Sequence, residues 1–341
     1  MSQVPSFAVV SGEQVAGVLH GREKQVMEVV EGAYRLHGAG GTVNPDSYFL
    51  RFPDRPSSRI IALPASAGKP VDVHGIKWIS SFPENVAAGL PRASAVLILN
   101  DTTTGYPLAC LESSIISAAR TAGSAALAAT TLATARGVTP RRAGFIGTGL
   151  IARYIHTYLV AVGLSFDEVG VFDLAKEHAE GFGAYLTRSG AEEVTFHDDA
   201  ESLIAASDLV VLATVAGEPH IHAPEALAHN PLVLHVSLRD LSPEIILSSW
   251  NVLDDVEHCL KAGTSPHLAE QRTGGRSFVA GTLYDVLEGT LTPPADRPVV
   301  FSPFGLGVLD LAVARYVYDE VGAAGDLMTV PGFFHELKRH G

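Results

Sequence analysis

AGFIGTGLIA, residues 143–152, is a short apolar run that drops into Gly147-Thr148-Gly149 and leaves through Leu150-Ile151-Ala152 into a helical pattern. That order of strand, tight turn and helix is the phosphate-binding unit of a dinucleotide fold. The first glycine permits the turn, and the second lets a pyrophosphate approach the N–H groups at the start of the helix. Ala152 stands where the usual pattern has its third glycine. The next apolar run, Glu168 to Phe172, ends at Asp173, at about the twenty-residue spacing of the acid that accepts the ribose hydroxyls. The competing reading is an ordinary glycine turn with Asp173 as a helix cap. Leu174 follows the acid and no arginine is adjacent, which favours NAD over NADP, although Lys176 lies close by.

Downstream of this turn, strands and helices alternate. The strand candidates are Val169–Phe172, Val194–Phe196, Leu209–Ala213, Leu232–Val236, Val252–Leu253 and Val299–Ser302, the last expected to close the sheet. Such alternation predicts a Rossmann-type, doubly wound parallel sheet. Upstream, residues 11–38 read as helical, with Ser11 as a first cap. Strand patterns follow at Ser47–Phe52, Arg59–Pro64, Val73–Ser80, Ala95–Asn100 and Tyr106–Leu111, joined by short turns, which suggests an antiparallel sheet. Ser113 to Arg136 reads as a long helix of small residues, and Gly307 to Glu320 as an amphipathic one. The expected class is α/β, with an N-terminal α+β domain of mostly antiparallel strands. Residues 1–124 plus 306–341 would form that domain, and 125–305 the nucleotide-binding domain.

The chain has 341 residues, 24 basic and 37 acidic, for a formal net charge of −13. That balance disfavours binding to nucleic acid or to an anionic membrane. The apolar stretch from Ser113 to Ala135 is rich in Ala, Ser and Thr and contains Arg120, which argues against a membrane span. Two distant cysteines make no disulfide framework or metal-binding spacing, and the N-terminus lacks the pattern of a signal peptide. A cytoplasmic protein is the expectation. No metal is assigned, because His220 and His222 have no third ligand at a suitable spacing.

In an acidic chain, cations in apolar surroundings attract attention. Arg120 is the only charge between Glu112 and Arg136. It needs an anionic partner, either Glu112 or another acid, or a substrate carboxylate suited to its planar fork. Lys77 lies in a strand pattern and shares a face with Val73 and Ile79, so it either lines a pocket or sits at a solvated edge. Arg51 and Arg92 are weaker candidates of the same kind. Asp240 follows the strand pattern that starts at Leu232, where doubly wound folds bind ligands. It reads equally as a general base beside a nicotinamide or as a helix cap before Pro243.

Taken together, HGIKW (74–78), residues 82–101, residues 104–129, GTGLIA (147–152) and SPFGLGVLDLA (302–312) resemble the ornithine cyclodeaminase/μ-crystallin superfamily over almost the whole chain. The second and third pieces are most similar to the dehydrogenases that split N-(2-amino-2-carboxyethyl)-L-glutamate into L-2,3-diaminopropionate and 2-oxoglutarate, in siderophore or peptide-antibiotic pathways. The resemblance implies that Lys77 and Arg120 bind substrate carboxylates, with Arg51 and Arg92 near ligand positions, and that Asp240 is the catalytic carboxylate, assisted by Lys77. It implies NAD contacts at Gly147, Thr148, Gly149, Leu150, Ile151, Asp173, Thr214 and Ser237, and a homodimer formed through the N-terminal sheet. Two departures count against ornithine cyclodeaminase itself. Its glycine-rich segment reads His235-Val236-Ser237-Leu238-Arg239 here, and its lysine after the acid is Glu244. The alternatives left open are that enzyme, a reductase of ketimines or imino acids, and a non-catalytic crystallin-like nucleotide binder.

Overall fold

A computed structural model of the chain describes residues 5–335. It divides into two compact units, one running to Arg120 and resuming at Leu306, the other spanning Thr121–Gly305.

The first unit holds a sheet in the order Met328–Thr329, Ala8–Val10, Pro107–Glu112, Ala93–Asn100, Val73–Ser81, Arg55–Ala67, Thr42–Val43, with Tyr48–Phe52 also pairing to Arg55–Ala67. All these pairs are antiparallel except that of Ala8–Val10 with Pro107–Glu112. The helical region near the N-terminus is two helices, Gly12–Leu19 and Glu23–Gly38, broken at Gly21, whose φ is +75°. Ser11 caps the first in a reciprocal box with Gln14.

Alternation along Val73–Ser81 buries Val73, Lys77 and Ser81 on one face. On the other face, Tyr48, Ala62, Trp78 and Val96 align in one row across four strands, and the three large residues are exposed. The buried face is covered by helix Gly307–Ala323. That helix is not amphipathic as its spacing suggests, for every residue from Gly307 to Ala314 is buried. The crossing is close. A Cβ on Gly75 would lie 2.8 Å from Leu311 Cδ2 and 2.3 Å from the Ile98 carbonyl oxygen, so only glycine fits there.

The second unit is an all-parallel sheet in the order Val194–Phe196, Glu168–Phe172, Arg142–Ile146, Leu209–Leu212, Leu232–His235, Val299–Ser302, Trp250–Leu253, Val279–Thr282. The sequence order reverses direction across the sheet at Arg142–Ile146, as in a doubly wound fold. One expectation is corrected. Val299–Ser302 does not close the sheet but lies between Leu232–His235 and Trp250–Leu253. All four of its residues are buried, which suits a strand with neighbours on both sides. The edge is Val279–Thr282, a segment whose mixed Val-Ala-Gly-Thr composition carries little strand signal. Among the described residues, no helix is long and apolar enough to cross a membrane. Both cysteines are free, Cys259 buried and Cys110 partly so.

Candidate active site

The glycine turn is built as its spelling suggests. Strand Arg142–Ile146 ends at Gly147, whose φ is +81°. A Cβ there would lie 2.8 Å from the Ala213 carbonyl carbon and oxygen and 2.9 Å from Thr214 N. Both the backbone conformation and the space therefore demand glycine. Helix Leu150–Ala161 starts from Gly149 with no side-chain cap, so its first N–H groups are available to an anion. A Cβ on Gly149 would meet nothing, while Ala152, in the third-glycine position, is fully buried.

Asp173 is not a helix cap, since the following helix, Lys176–Arg188, starts from Ala175 with no side-chain cap bond. Instead its carboxylate accepts the Thr148 N–H (2.9 Å), the Thr148 hydroxyl (2.8 Å) and the Ala175 N–H (2.9 Å). It thus ties the glycine turn to the end of strand Glu168–Phe172. Leu174 is 96% exposed, and the exposed Lys176 lies 3.9 Å from Glu180. These features fit a dinucleotide with a free ribose diol. Gly147→Ala is expected to destabilise the second unit by about 2 kcal/mol or more and to abolish NADH binding. Fluorescence titration with NADH checks this, and unchanged affinity would contradict it.

Asp240 sits in the loop after strand Leu232–His235. It is not a helix cap either, as Ser242 caps helix Pro243–Ser248. Its side chain is fully buried. Oδ1 accepts the Thr214 hydroxyl and lies 2.9 Å from His220 Nε2. The Asp240 N–H donates to His235 Nε2 (3.2 Å), which also stands 3.4 Å from Oδ2, and His235 Nδ1 is 3.1 Å from Ser302 Oγ. The Asp240 backbone carbonyl accepts the N–H groups of His220 and Ile221. Burial works against charge on this carboxylate, but the hydrogen bonds to it, led by that of His220, hold its pKa well below the usual range. The same bond raises the pKa of His220. Because Thr214 also abuts Gly147, the Asp240 cluster is joined to the glycine turn through one residue. Ser237 lies in the same loop, and its buried hydroxyl adds to the groups that hold the Asp240 pKa down.

In the first unit, Lys77 and Arg120 meet on Asp310. Lys77 Nζ is 2.7 Å from Oδ2 and Arg120 Nε is 3.0 Å from Oδ1, with side-chain exposures of 2%, 13% and 0% for Lys77, Arg120 and Asp310. Burial, helped by the neighbouring guanidinium and opposed by Asp310, pulls the Lys77 pKa down to about 8. Glu112, one partner considered for Arg120, is used elsewhere. Its carboxylate accepts the N–H groups of Ser114 and Ile115, capping the long helix Ser114–Arg136. Asp310 carries no pattern of its own in the sequence. The available signal was a lone acid in an apolar helix, the counterpart of the lone cation in the other.

Arg51 is exposed, with its guanidinium 5.1 Å from the centre of the Phe49 ring. Arg92 is partly buried, donates from Nη1 to Ser81 Oγ (2.8 Å), and has its pKa lowered by burial. Register aligns Arg51 with Arg59 and Arg59 with Ser81. Three arginines therefore gather around the end of the strand that carries Lys77, four residues along the same face, or ~13 Å away. Arg59 went unnoticed because only the register reveals it. Among the described residues, no group of three or more His, Cys, Asp or Glu side chains is arranged to hold a metal ion. Glu244 instead pairs with Arg272 at the surface.

A parallel sheet with a glycine turn, an acid after the second strand and a carboxylate–imidazole cluster at its carboxyl end defines a Rossmann-type nucleotide-binding protein with groups suited to proton transfer. The chain belongs to the ornithine cyclodeaminase/mu-crystallin family, whose model matches residues 9–325. An alanine dehydrogenase of Archaeoglobus fulgidus is 29% identical over 86% of this chain and 89% of its own. The N-((2S)-2-amino-2-carboxyethyl)-L-glutamate dehydrogenase of Staphylococcus aureus is 26% identical over 88% of this chain and 91% of its own. Among solved structures, an archaeal alanine dehydrogenase dimer with bound NAD superposes with a TM-score of 0.85, at 26% identity, over 96% of this chain and all of that one. These relatives are oxidoreductases acting on amino acids or their derivatives.

Proposed function

We propose that this protein is an NAD-dependent dehydrogenase that oxidatively cleaves N-(2-amino-2-carboxyethyl)-L-glutamate to L-2,3-diaminopropionate and 2-oxoglutarate, supplying a siderophore or peptide-antibiotic pathway. One observation carries the choice of substrate. Two buried cations, Lys77 and Arg120, share the single carboxylate of Asp310, which leaves positive charge for a ligand anion. The arginines around Ser81 extend that preference. A substrate with three carboxylates matches such a set, whereas alanine or ornithine offers only one.

In this reading Gly147, Thr148, Gly149, Leu150, Ile151 and Asp173, with Thr214 and Ser237 nearby, would hold NAD, which would supply the acceptor for the hydride of the α-carbon of the glutamate half. Lys77 and Arg120 fix substrate carboxylates, and Arg51 and Arg92 take the distal one. The resulting imine, conjugated to a carboxylate, is attacked by water. Asp240 is the carboxylate behind the proton transfers that follow, until the carbinolamine collapses to the keto acid and the free amine.

The same reading makes residues 1–124 with 306–341 the substrate and dimerisation domain and residues 125–305 the NAD domain. The exposed row of Tyr48, Trp78 and Val96 supports a homodimer through the first sheet. The free cysteines fit a cytoplasmic setting. The test is NADH release from the purified protein with the glutamate adduct. If the adduct is inert while ornithine gives proline and ammonia, or alanine gives pyruvate, the assignment fails.

A further inference from the structure

We infer that His220 is the group that exchanges protons with the reacting water and amine, with Asp240 as the buried carboxylate that orients it. This rests on the reaction proposed above and corrects the division of labour within it. Asp240 has no exposed side-chain surface; its Oδ1 is engaged by Thr214 and His220, and its Oδ2 is buried 3.4 Å from His235 Nε2. The Thr214 oxygen itself accepts the Ala216 N–H, so its hydroxyl proton is committed to Asp240. A carboxylate with no exposed surface does not meet bulk water, whereas the imidazole bonded to it does.

His220 does have an open side, with 39% of its side chain exposed. Its backbone is pinned, because the N–H groups of His220 and Ile221 both bond to the Asp240 carbonyl and Ile221 bridges to Leu241. The ring is therefore held with Nε2 on Asp240. With Nε2–H donated to the carboxylate, the neutral ring carries its lone pair on Nδ1, the tautomer a proton acceptor needs. A buried acid fixing the tautomer of a half-exposed imidazole is also the arrangement of hydrolytic triads.

His235, the second imidazole of the cluster, is fully buried and lies between Asp240 and Ser302, so it supports Asp240 from behind. The charged groups facing His220 are Asp240 and Glu201, the latter on helix Ala200–Ala206, and both favour the imidazolium. Burial opposes them.

The proton balance closes with one histidine. As water oxygen bonds to the iminium carbon, neutral His220 takes one water proton, leaving a neutral carbinolamine and imidazolium. The imidazolium returns that proton to the amine nitrogen. As the C–N bond breaks, the hydroxyl proton leaves through the regenerated imidazole, yielding the keto acid and the protonated amine.

Steady-state NADH release from the adduct, followed against pH, tests this with wild type, His220→Gln and His220→Ala. The wild type is expected to lose rate on the acid side with a midpoint above 6.5, the ordinary histidine value. In H220Q, kcat should fall by about 100-fold or more with KM little changed, and the acid limb should disappear. Added imidazole should restore part of the H220A rate, which a structural role would not allow. NADH fluorescence confirms that each variant is folded. An active wild type with H220Q retaining its kcat and acid limb overturns this inference alone, as does H220A that imidazole cannot rescue. A wild type inactive with the adduct overturns the proposed reaction and this inference with it.

Discussion

Asp310→Asn is expected to destabilise the first unit by about 3–5 kcal/mol, the cost of removing one partner from a buried ion cluster. Asp310 holds the only carboxylate on Lys77 and Arg120 among the described residues, and both cations are largely or wholly buried. Without it, two desolvated positive charges face one another. Lys77, already drawn down to about 8, would then lose the interaction that opposes its neutralisation. Lys77→Met should cost less than Asp310→Asn. It removes a cation that is expensive to desolvate and leaves Arg120 and Asp310 matched one to one. Of the two tryptophans, Trp78 reports on this unit, so urea unfolding followed by its fluorescence in a Trp250→Phe background measures both variants. A shift for D310N worth less than about 1 kcal/mol, in the range of exposed pairs, would show that the cluster is not buried in solution.

Asp240→Asn is expected to lower turnover by about 10²- to 10⁴-fold, the usual scale for disabling general acid–base catalysis, because His220 loses the carboxylate that orients it, while NADH binding is kept. The amide is nearly isosteric, so Thr214 and the backbone bonds around residue 240 keep their places. What disappears is the charge. The His220 pKa is raised chiefly by its bond to Asp240, so any residual activity of D240N should hold to lower pH than that of the wild type. Its acid limb moves downward because the imidazole gives up its proton more readily. Retained wild-type turnover in D240N would remove Asp240 from the chemistry, whereas a wild type inactive with every imino or amino acid would favour the crystallin-like binding role.

The parts of this molecule that were legible in the sequence are those where local physics decides. Gly147 must be glycine because its φ is positive and a Cβ there would run into the Ala213–Thr214 backbone. The alternation through Val73–Ser81 puts Lys77 on the face of Val73 because a strand has a period of two, and the fold buries that face. What stayed hidden depends on partners far along the chain. Asp310 sits in LDLAVA, where helical spacing gave one apolar stripe, but the surrounding elements bury every side of that turn. Val299–Ser302 reads plainly as a buried strand, yet nothing in its four residues says between which neighbours it will insert. The roles of His220 and His235 likewise follow only from the loop that returns each of them to Asp240.

Asp310 is 233 residues downstream of the lysine it neutralises. The first unit is thus the last to be completed during synthesis. Residues up to Arg120 leave the ribosome with their buried cations unmatched and the face of their sheet uncovered, while the continuous second unit, Thr121–Gly305, can already close on itself. Only when the helix beginning at Gly307 emerges do Lys77 and Arg120 acquire their countercharge. A message truncated just before that helix would therefore yield a nucleotide-binding fold attached to an unfinished sheet. The helix that begins at Gly307 decides whether the buried face of the first sheet is ever completed.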